Sequence, residues 1–423
     1  MSNTKTVMSQ AGNTQGIPPD ITDVFSTYLY EGTSAAQTIT NGIDLSGEGG
    51  LVWLKGRDAS NHHLIDTERG GDKYLLSNAI NVEQTSPAGS DVTSFNSDGF
   101  SFGTYSSNIN FNGYDYSSWT FRKAPKFFDI VTYTGDGTNN RAISHDLGSS
   151  PGMVIVKRTS ATENWVIWHR SLASNKMLTF TGNATTSSTP TYDSSLMTST
   201  TIGVNSGNSS NANGSTYVAY LYAHNNGDGE FGPDSDQDII KCGSYTGNGG
   251  TQDINLGFEP QWIMIKGATT NTSWHVFDVM RGWDLGSSFT IQPNTNQQEF
   301  NYETEYTGAK LGHPTATGFK LTSGTLHSNQ ASETYIYMAI RRGPLATPTP
   351  TAATEVFAVD TLNGANPTLA SYYAGFTVDA AILANRNGIS TQALARTRLT
   401  GGKYLSTSSN AAEVSSTTSY FDN

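Results

Sequence analysis

The sequence predicts an all-β protein built from tandem antiparallel β-sandwich modules, three complete and one partial, of a jelly-roll, lectin-like or immunoglobulin-like type. Three observations predict this class. Only 14% of the 423 residues are charged, against about 25% in ordinary soluble domains, and residues that disfavour helices supply the polarity instead. Short apolar runs alternate with turn residues at intervals of about ten residues, as in sandwiches and barrels. The chain also repeats itself.

The repeat is clearest in an apolar block that ends in lysine. It occurs three times, ending at Lys55, Lys157 and Lys266, with a spacing of about 100 residues, the length of one sandwich domain. The uninterrupted apolar residues before each lysine predict a central strand that is buried on both faces. A related block without the lysine, at residues 380–383, predicts the partial fourth copy.

A second motif, Asp-x-x-Arg-Gly, follows two of these blocks and begins at Asp66 and at Asp278. We expect each aspartate to pair with the arginine three residues later and to close a bend, with Gly70 and Gly282 at positive φ. A catalytic carboxylate with an arginine clamp is the alternative. The second copy has His169 in place of the aspartate, which favours the structural interpretation.

The repeat boundaries divide the chain into segments. We expect, in order, a flexible docking segment, three sandwich modules, a proline- and threonine-rich linker and a partial module, at residues 1–22, 23–125, 126–237, 238–344, 345–354 and 355–423. Because the last module ends before any counterpart of a closing strand, we expect either that the natural chain continues beyond residue 423 or that another chain covers the open edge.

Charge and composition exclude several classes of partner. The net charge of −12 argues against binding to nucleic acid or to an anionic membrane, both of which require clustered lysine and arginine. No apolar run approaches the ~20 residues of a membrane helix, and the N-terminal residues lack the apolar stretch of a secretory signal. The single cysteine, Cys242, permits no internal disulfide, and its apolar neighbours predict a buried side chain.

The sequence contains no zinc-protease or phosphate-loop motif. We therefore expect no catalytic residues and no enzymatic activity.

An acidic, glycine-containing loop between the second and third modules suggests a metal site. Alternating carboxylates suit the six to eight oxygen ligands that calcium prefers, and a solvated linker is the alternative. Calcium is the one cofactor that the sequence suggests, with candidate ligands Asp228, Glu230, Asp234, Asp236 and Asp238.

Several aromatic residues follow the second and third lysine blocks. Aromatic faces stack on sugar rings, so these residues predict a glycan-binding platform; burial in the core is the alternative, because side chains alternate along a strand. The candidates are Trp165, Trp274, His275 and Trp283.

Four stretches, at residues 25–30, 42–53, 66–70 and 226–238, resemble repeats in tail-fibre-like virion proteins of marine bacteriophages, and the resemblance extends over the whole chain. That repeat is a domain of unknown function. The resemblance implies a β-sandwich fold and location in a virion that is assembled in the host cytoplasm and released by lysis. Within a virion, the short segment 1–22 suits docking on other virion proteins, because a flexible segment can fold on its partner.

We therefore expect a structural, receptor-binding tail fibre that contacts host surface polysaccharide and has no enzymatic activity. By analogy with phage fibres, we expect a homotrimer. Two alternatives remain open at this point: a polysaccharide-degrading tailspike, which needs paired carboxylates in a cleft, and a capsid or head fibre.

Overall fold

The computed structural model describes most of the chain up to residue 343 and four strands beyond it. The described residues are 18–104, 108–174, 176–180, 185–186, 191–284, 288–306, 311–343, 380–383, 394–397, 403–407 and 414–415. The predicted linker, and residues 1–17 of the predicted docking segment, lie outside them.

Sheet 1 has six antiparallel strands in the order β1-β9-β3-β4-β5-β6. Its central strand, β3, is the first lysine block, and it is buried along its whole length, as the uninterrupted apolar run predicts. The strands are β1 (Phe25–Glu31), β3 (Gly50–Gly56), β4 (His62–Asp66), β5 (Lys73–Leu76), β6 (Gln84–Thr85) and β9 (Asp115–Arg122).

Sheet 2 repeats this order as β10-β17-β12-β13-β14-β15, and sheet 3 repeats its first part as β18-β26-β20-β21. Sheet 2 consists of β10 (Phe128–Thr134), β12 (Met153–Arg158), β13 (Val166–His169), β14 (Lys176–Thr179), β15 (Thr185–Thr186) and β17 (Thr216–Tyr222). Sheet 3 consists of β18 (Ile240–Thr246), β20 (Pro260–Gly267), β21 (His275–Asp278) and β26 (Thr334–Arg341).

The register relates the three sheets position by position. Each block lysine lies opposite the same place on the neighbouring long strand: Lys55 opposite Ser117, Lys157 opposite Val218 and Lys266 opposite Ile336. Positions with the same register relative to these lysines are called equivalent below.

A smaller sheet accompanies each of the three. Beside sheet 1 lie β2 (Gln37–Thr40), β7 (Val92–Asn96) and β8 (Gly99–Phe102); beside sheet 2 lie β11 (Arg141–Ser144) and β16 (Thr201–Val204); beside sheet 3 lie β19 (Gln252–Asn255), β24 (His313–Thr315) and β25 (Gly318–Leu321). Side chains such as Val52 and Leu54 pack against Phe100 of the smaller sheet. The predicted all-β class with several separate antiparallel sheets is confirmed.

Helices are short in the described residues. They comprise α1 (Ile21–Val24), α2 (Tyr302–Glu305) and 3-10 turns at Ser194–Leu196 and Val279–Arg281. Two further strands, β22 (Phe289–Thr290) and β23 (Phe300–Asn301), pair with each other. Within the described part of the chain, no helix is long and apolar enough to cross a membrane.

The other faces of sheets 1, 2 and 3 meet in one hydrophobic cluster, called the central core here. Trp53 from sheet 1, Ile155 from sheet 2 and Met264 from sheet 3, which occupy equivalent positions, all belong to it and are fully buried. Cys242 also lies in the central core, as predicted, and burial raises the pKa of its thiol. The three sheets therefore share an interior.

Four strands form a separate sheet 4, in the order β27-β28-β29-β30. They are β27 (Ala380–Leu383), β28 (Leu394–Thr397), β29 (Lys403–Ser406) and β30 (Val414–Ser415).

Candidate functional site

The three block lysines are buried and close the ends of the central strands. Each ammonium group donates to a main-chain carbonyl at or beyond the end of its strand: Lys55 Nζ to Asp58 at 2.9 Å, Lys157 Nζ to Arg158 at 2.8 Å, and Lys266 Nζ to Thr272 at 2.6 Å. Burial lowers the pKa of Lys55 to about 7 and those of Lys157 and Lys266 to about 8. A lysine pKa near neutrality suits a general base, but these amines bind the loops that cover them, which is a structural role.

The first seam between sheets joins sheet 1 to sheet 2 at the first Asp-x-x-Arg-Gly motif. Arg69 Nη2 lies 2.6 Å from Asp66 Oδ2, and the same carboxylate oxygen accepts a hydrogen bond at 2.8 Å from the hydroxyl of Tyr220 on β17. Arg69 Nη1 lies 3.1 Å from Glu83, and Gly70 has a φ of +97°. The predicted ion pair and glycine turn are confirmed, and the carboxylate also bridges two sheets.

The second seam joins sheet 3 to sheet 1 at the other copy of the motif. Arg281 Nε lies 2.6 Å from Asp278 Oδ2, and neither side chain is exposed. The carboxylate accepts a hydrogen bond at 3.0 Å from the indole N–H of Trp119 on β9, and the guanidinium lies over the Trp119 ring, 5.3 Å from its centroid. Trp119 and Tyr220 occupy equivalent positions in their sheets.

The third seam joins sheet 2 to sheet 3 through His169, the residue that replaces aspartate. Its Nδ1 accepts a hydrogen bond from the N–H of Ser171 at 3.2 Å, so the neutral ring carries its hydrogen on Nε2 and donates to the carbonyl of Tyr337 at 3.1 Å. Burial lowers the pKa of His169 to about 3. The seams run from sheet 1 to 2, from 2 to 3 and from 3 to 1, so they form a closed ring.

A second ring of hydrogen bonds runs in the opposite direction. Trp165, Trp274 and His62 are equivalent residues, at the first residue of β4 or just before β13 and β21. Trp165 and Trp274 donate a ring N–H to a carbonyl of the preceding sheet, and His62 donates one to a carbonyl of the loop between β22 and β23. The bonds are Trp165 Nε1 to Leu76 at 2.9 Å, Trp274 Nε1 to Thr179 at 3.0 Å, and His62 Nε2 to Gln292 at 3.0 Å. The three acceptors are also equivalent.

The geometry corrects the prediction of an exposed glycan platform. Trp165, Trp274, His275 and Trp283 are each at most 1% exposed. Two of them donate across sheets, as described above, and Trp283 Nε1 donates to the carbonyl of Gly312 at 3.1 Å. A buried ring cannot stack on a sugar, so these four residues are part of the interior.

In the acidic loop, Asp238 and Glu230 bond to separate groups of the protein. Asp238 caps two loop amides, those of Gly227 and Gly229, and Glu230 forms an ion pair with Lys126 at 2.7 Å. Within the described residues, no group of three or more His, Cys, Asp or Glu side chains is placed to hold a metal ion. This corrects the calcium prediction for Asp228, Glu230, Asp234, Asp236 and Asp238: their carboxylates do not converge.

A polar cleft of about 430 Å³ lies between sheets 1 and 2. Arg69, Lys73 and Glu83 form one wall, and threonines of sheet 2, including Thr132 and Thr216, form the other. The guanidinium of Arg69 is already bonded within the seam, to two carboxylates and to a carbonyl. The charge of Arg69 is therefore already satisfied within the protein.

An exposed aromatic pair lies at one end of sheet 1, in the loop before β9. The side chains of Phe111 and Tyr114 are 47% and 43% exposed, and their rings meet edge to face with centroids 5.0 Å apart. Asn112 and Asp115 beside them are also exposed. Planar rings flanked by amide and carboxylate groups can stack on a sugar ring and bind its hydroxyls.

The equivalent loops of sheets 2 and 3 have the same backbone without the aromatic pair. The amide of Phe111 donates to the hydroxyl of Tyr116, and its counterparts Ala212 and Gln330 make the same bond to Tyr217 and Tyr335, at 2.9, 2.8 and 3.0 Å. Ser215 and Glu333 stand at the position of Tyr114.

The fold therefore does not require rings in this loop. Aligning the three copies from the shared asparagine, which is Asn110 in the first, to the shared tyrosine would have found the pair from sequence.

Comparison with known proteins identifies a family, and the description of that family states no function. Residues 20–344 match the family described as Domain of unknown function (DUF7483). No curated protein matches the chain. The matched region begins just before β1 and covers sheets 1, 2 and 3, whose interior and seams are described above. The chain belongs to the DUF7483 family.

Proposed function

We propose that this chain is a structural and attachment protein of a bacteriophage virion, a tail fibre that acts by binding and without catalysis. The sequence resemblance described above supports the virion assignment. The seams support a structural role, because Asp66, Asp278 and His169, which could otherwise serve as acids or bases, are buried and hold sheets together. A polysaccharide-degrading tailspike would need two carboxyl groups available in a cleft, and these carboxylates are occupied by arginines.

The observation that carries the attachment role is the exposed pair Phe111 and Tyr114. Adjacent exposed apolar side chains that are rimmed by polar residues are typical of an interaction site. The loops of sheets 2 and 3 demonstrate that the backbone forms equally well with Ala212 and Ser215 or with Gln330 and Glu333. The fold does not require aromatic rings at these two positions, so we assign them to contact with host surface glycans.

The experiment grafts the sheet 2 loop onto sheet 1. Phage particles carrying Phe111→Ala and Tyr114→Ser should contain the protein at normal copy number, measured by mass spectrometry of purified particles. Their adsorption to host cells should fall at least tenfold, because the stacking surface is lost. Leu326→Ala, which removes an exposed side chain from the loop before β26 (42% exposed), is the matched control and should adsorb normally.

Two results would contradict the proposal. Absence of the protein from purified wild-type particles would exclude the virion assignment. Normal adsorption of the grafted phage would exclude the aromatic pair as the contact surface.

A further inference from the structure

Sheet 4 has the strand order and register of one half of sheets 1 and 2. Its order β27-β28-β29-β30 matches β3-β4-β5-β6 and β12-β13-β14-β15. Cross-strand partners match as well: Ala395 lies opposite Ile382 and Leu405, as Leu64 lies opposite Trp53 and Leu75, and Ile167 lies opposite Ile155 and Leu178. Each position of sheet 4 therefore has an equivalent whose surroundings are known.

Two of these positions are exposed in sheet 4, whereas their equivalents in the other sheets are buried. Ile382 is 73% exposed and Leu405 is 51% exposed. Their equivalents in the other sheets are at most 1% exposed and all belong to the central core; they are Trp53, Ile155 and Met264 for the first, and Leu75, Leu178 and Ile291 for the second. The same apolar face is thus buried three times and open once.

The surfaces that pack on this face in sheets 1, 2 and 3 indicate which kind of surface would pack on it in sheet 4. In each of them, the face packs against the equivalent faces of the other two. An exposed apolar face of this kind marks an interaction surface. Among the described residues, sheet 4 has no second and third sheet of its own kind to cover this face, and two further copies of the chain would supply them.

We infer that three copies of this chain associate through sheet 4, each contributing Ile382 and Leu405 to a shared core that repeats between chains what sheets 1, 2 and 3 form within one. The closed ring within the chain fixes the number at three, because the equivalent faces close with three sheets. The inference does not rest on the proposed virion function, and it concerns a different part of the chain from the aromatic loop.

The test measures the mass of the purified full-length protein in solution. Native mass spectrometry and sedimentation velocity at micromolar concentration should give a species of three times the 45.3 kDa chain. The double variant Ile382→Asp and Leu405→Asp should give the single-chain mass, because three copies would bring six carboxylates into an apolar core. Leu326→Asp, a charge placed at an exposed leucine of the loop before β26, is the matched control and should remain trimeric.

Unfolding midpoints separate assembly from misfolding. The main transition of the double variant should match that of wild type at a concentration where both are single chains, since sheets 1, 2 and 3 are untouched. The conservative variant Leu405→Met should stay trimeric. A wild-type protein that is a single chain or a dimer overturns the inference, and so does a double variant that remains a trimer.

Discussion

Two seams of the ring occupy equivalent positions and use different chemistry. At the seam between sheets 3 and 1, a fully buried ion pair, Asp278 with Arg281, accepts the indole N–H of Trp119. At the seam between sheets 2 and 3, a neutral His169 donates to the carbonyl of Tyr337. The position therefore requires a polar group that bonds across the seam, and the fold supports either a charged or a neutral one.

The two seams should respond differently when their polar group is removed. A buried ion pair is not in itself a strong source of stability, because desolvation offsets much of the attraction. Once the pair has formed, however, removal of either partner leaves the other as an unpaired buried charge. His169 has no charged partner that its loss would leave uncompensated in the seam, so removing it leaves two neutral groups, the carbonyl of Tyr337 and the N–H of Ser171, without their bonds to the ring.

Removal of each group in turn tests this contrast and has the largest expected effect. Asp278→Ala should lower the free energy of unfolding by about 3–5 kcal/mol, because it leaves the buried Arg281 without its closest carboxylate. His169→Ala should cost about 1–3 kcal/mol, the cost of unsatisfied buried polar groups. Urea unfolding of the full chain measures both values. Equal losses at the two sites would contradict the distinction between a charged and a neutral seam.

The pH dependence sharpens the comparison, because the seam between sheets 2 and 3 contains a histidine whose pKa differs between the folded and the unfolded chain. The folded-state pKa of His169 is about 3, below the ordinary value of 6.5, so between these pH values the unfolded chain binds a proton that the folded chain excludes. The contribution of His169 is complete above pH 6.5 and is lost as the pH falls towards 3, at up to about 1.4 kcal/mol per pH unit.

The measurement compares wild type with His169→Gln in urea unfolding at pH 7.5, 6.5 and 5.5. The amide keeps a polar group at the seam but cannot titrate. Between pH 6.5 and 5.5, the stability of wild type should fall by about 1 kcal/mol more than that of the variant. Parallel curves would place the titration at other histidines, such as the buried His62 and His275.

Local features of the fold could be predicted from the sequence because their causes are local. An uninterrupted apolar run has no polar face to expose, so burial of the strand before Lys55 follows directly. An aspartate three residues before an arginine and four before a glycine can close a turn by itself, and the Asp66 and Asp278 turns form as expected.

The partners of each face could not be predicted, because period-two alternation separates two faces and does not say what covers them. Trp53 faces the central core, whereas its neighbours in the strand, Val52 and Leu54, face the smaller sheet. The misassignment of Trp165 has the same origin. It precedes β13 beside polar residues, which is typical of a surface position, but its indole N–H reaches a carbonyl of sheet 1.

A substitution in the acidic loop should have the smallest effect on stability, because its carboxylates differ from those of the seams in exposure and bonding. Its side chains at Asp234 and Asp236 are exposed, whereas Asp278 is buried and bonded on both oxygens. Asp234→Ala should therefore change the free energy of unfolding by no more than about 0.5 kcal/mol, as is usual for surface positions. Addition of a calcium chelator should leave the melting temperature of both proteins unchanged, because a bound ion would otherwise stabilise the folded state by mass action. A chelator-dependent drop in wild type that disappears in Asp234→Ala would restore calcium to this loop, and it would mean that the carboxylates converge when the ion is present.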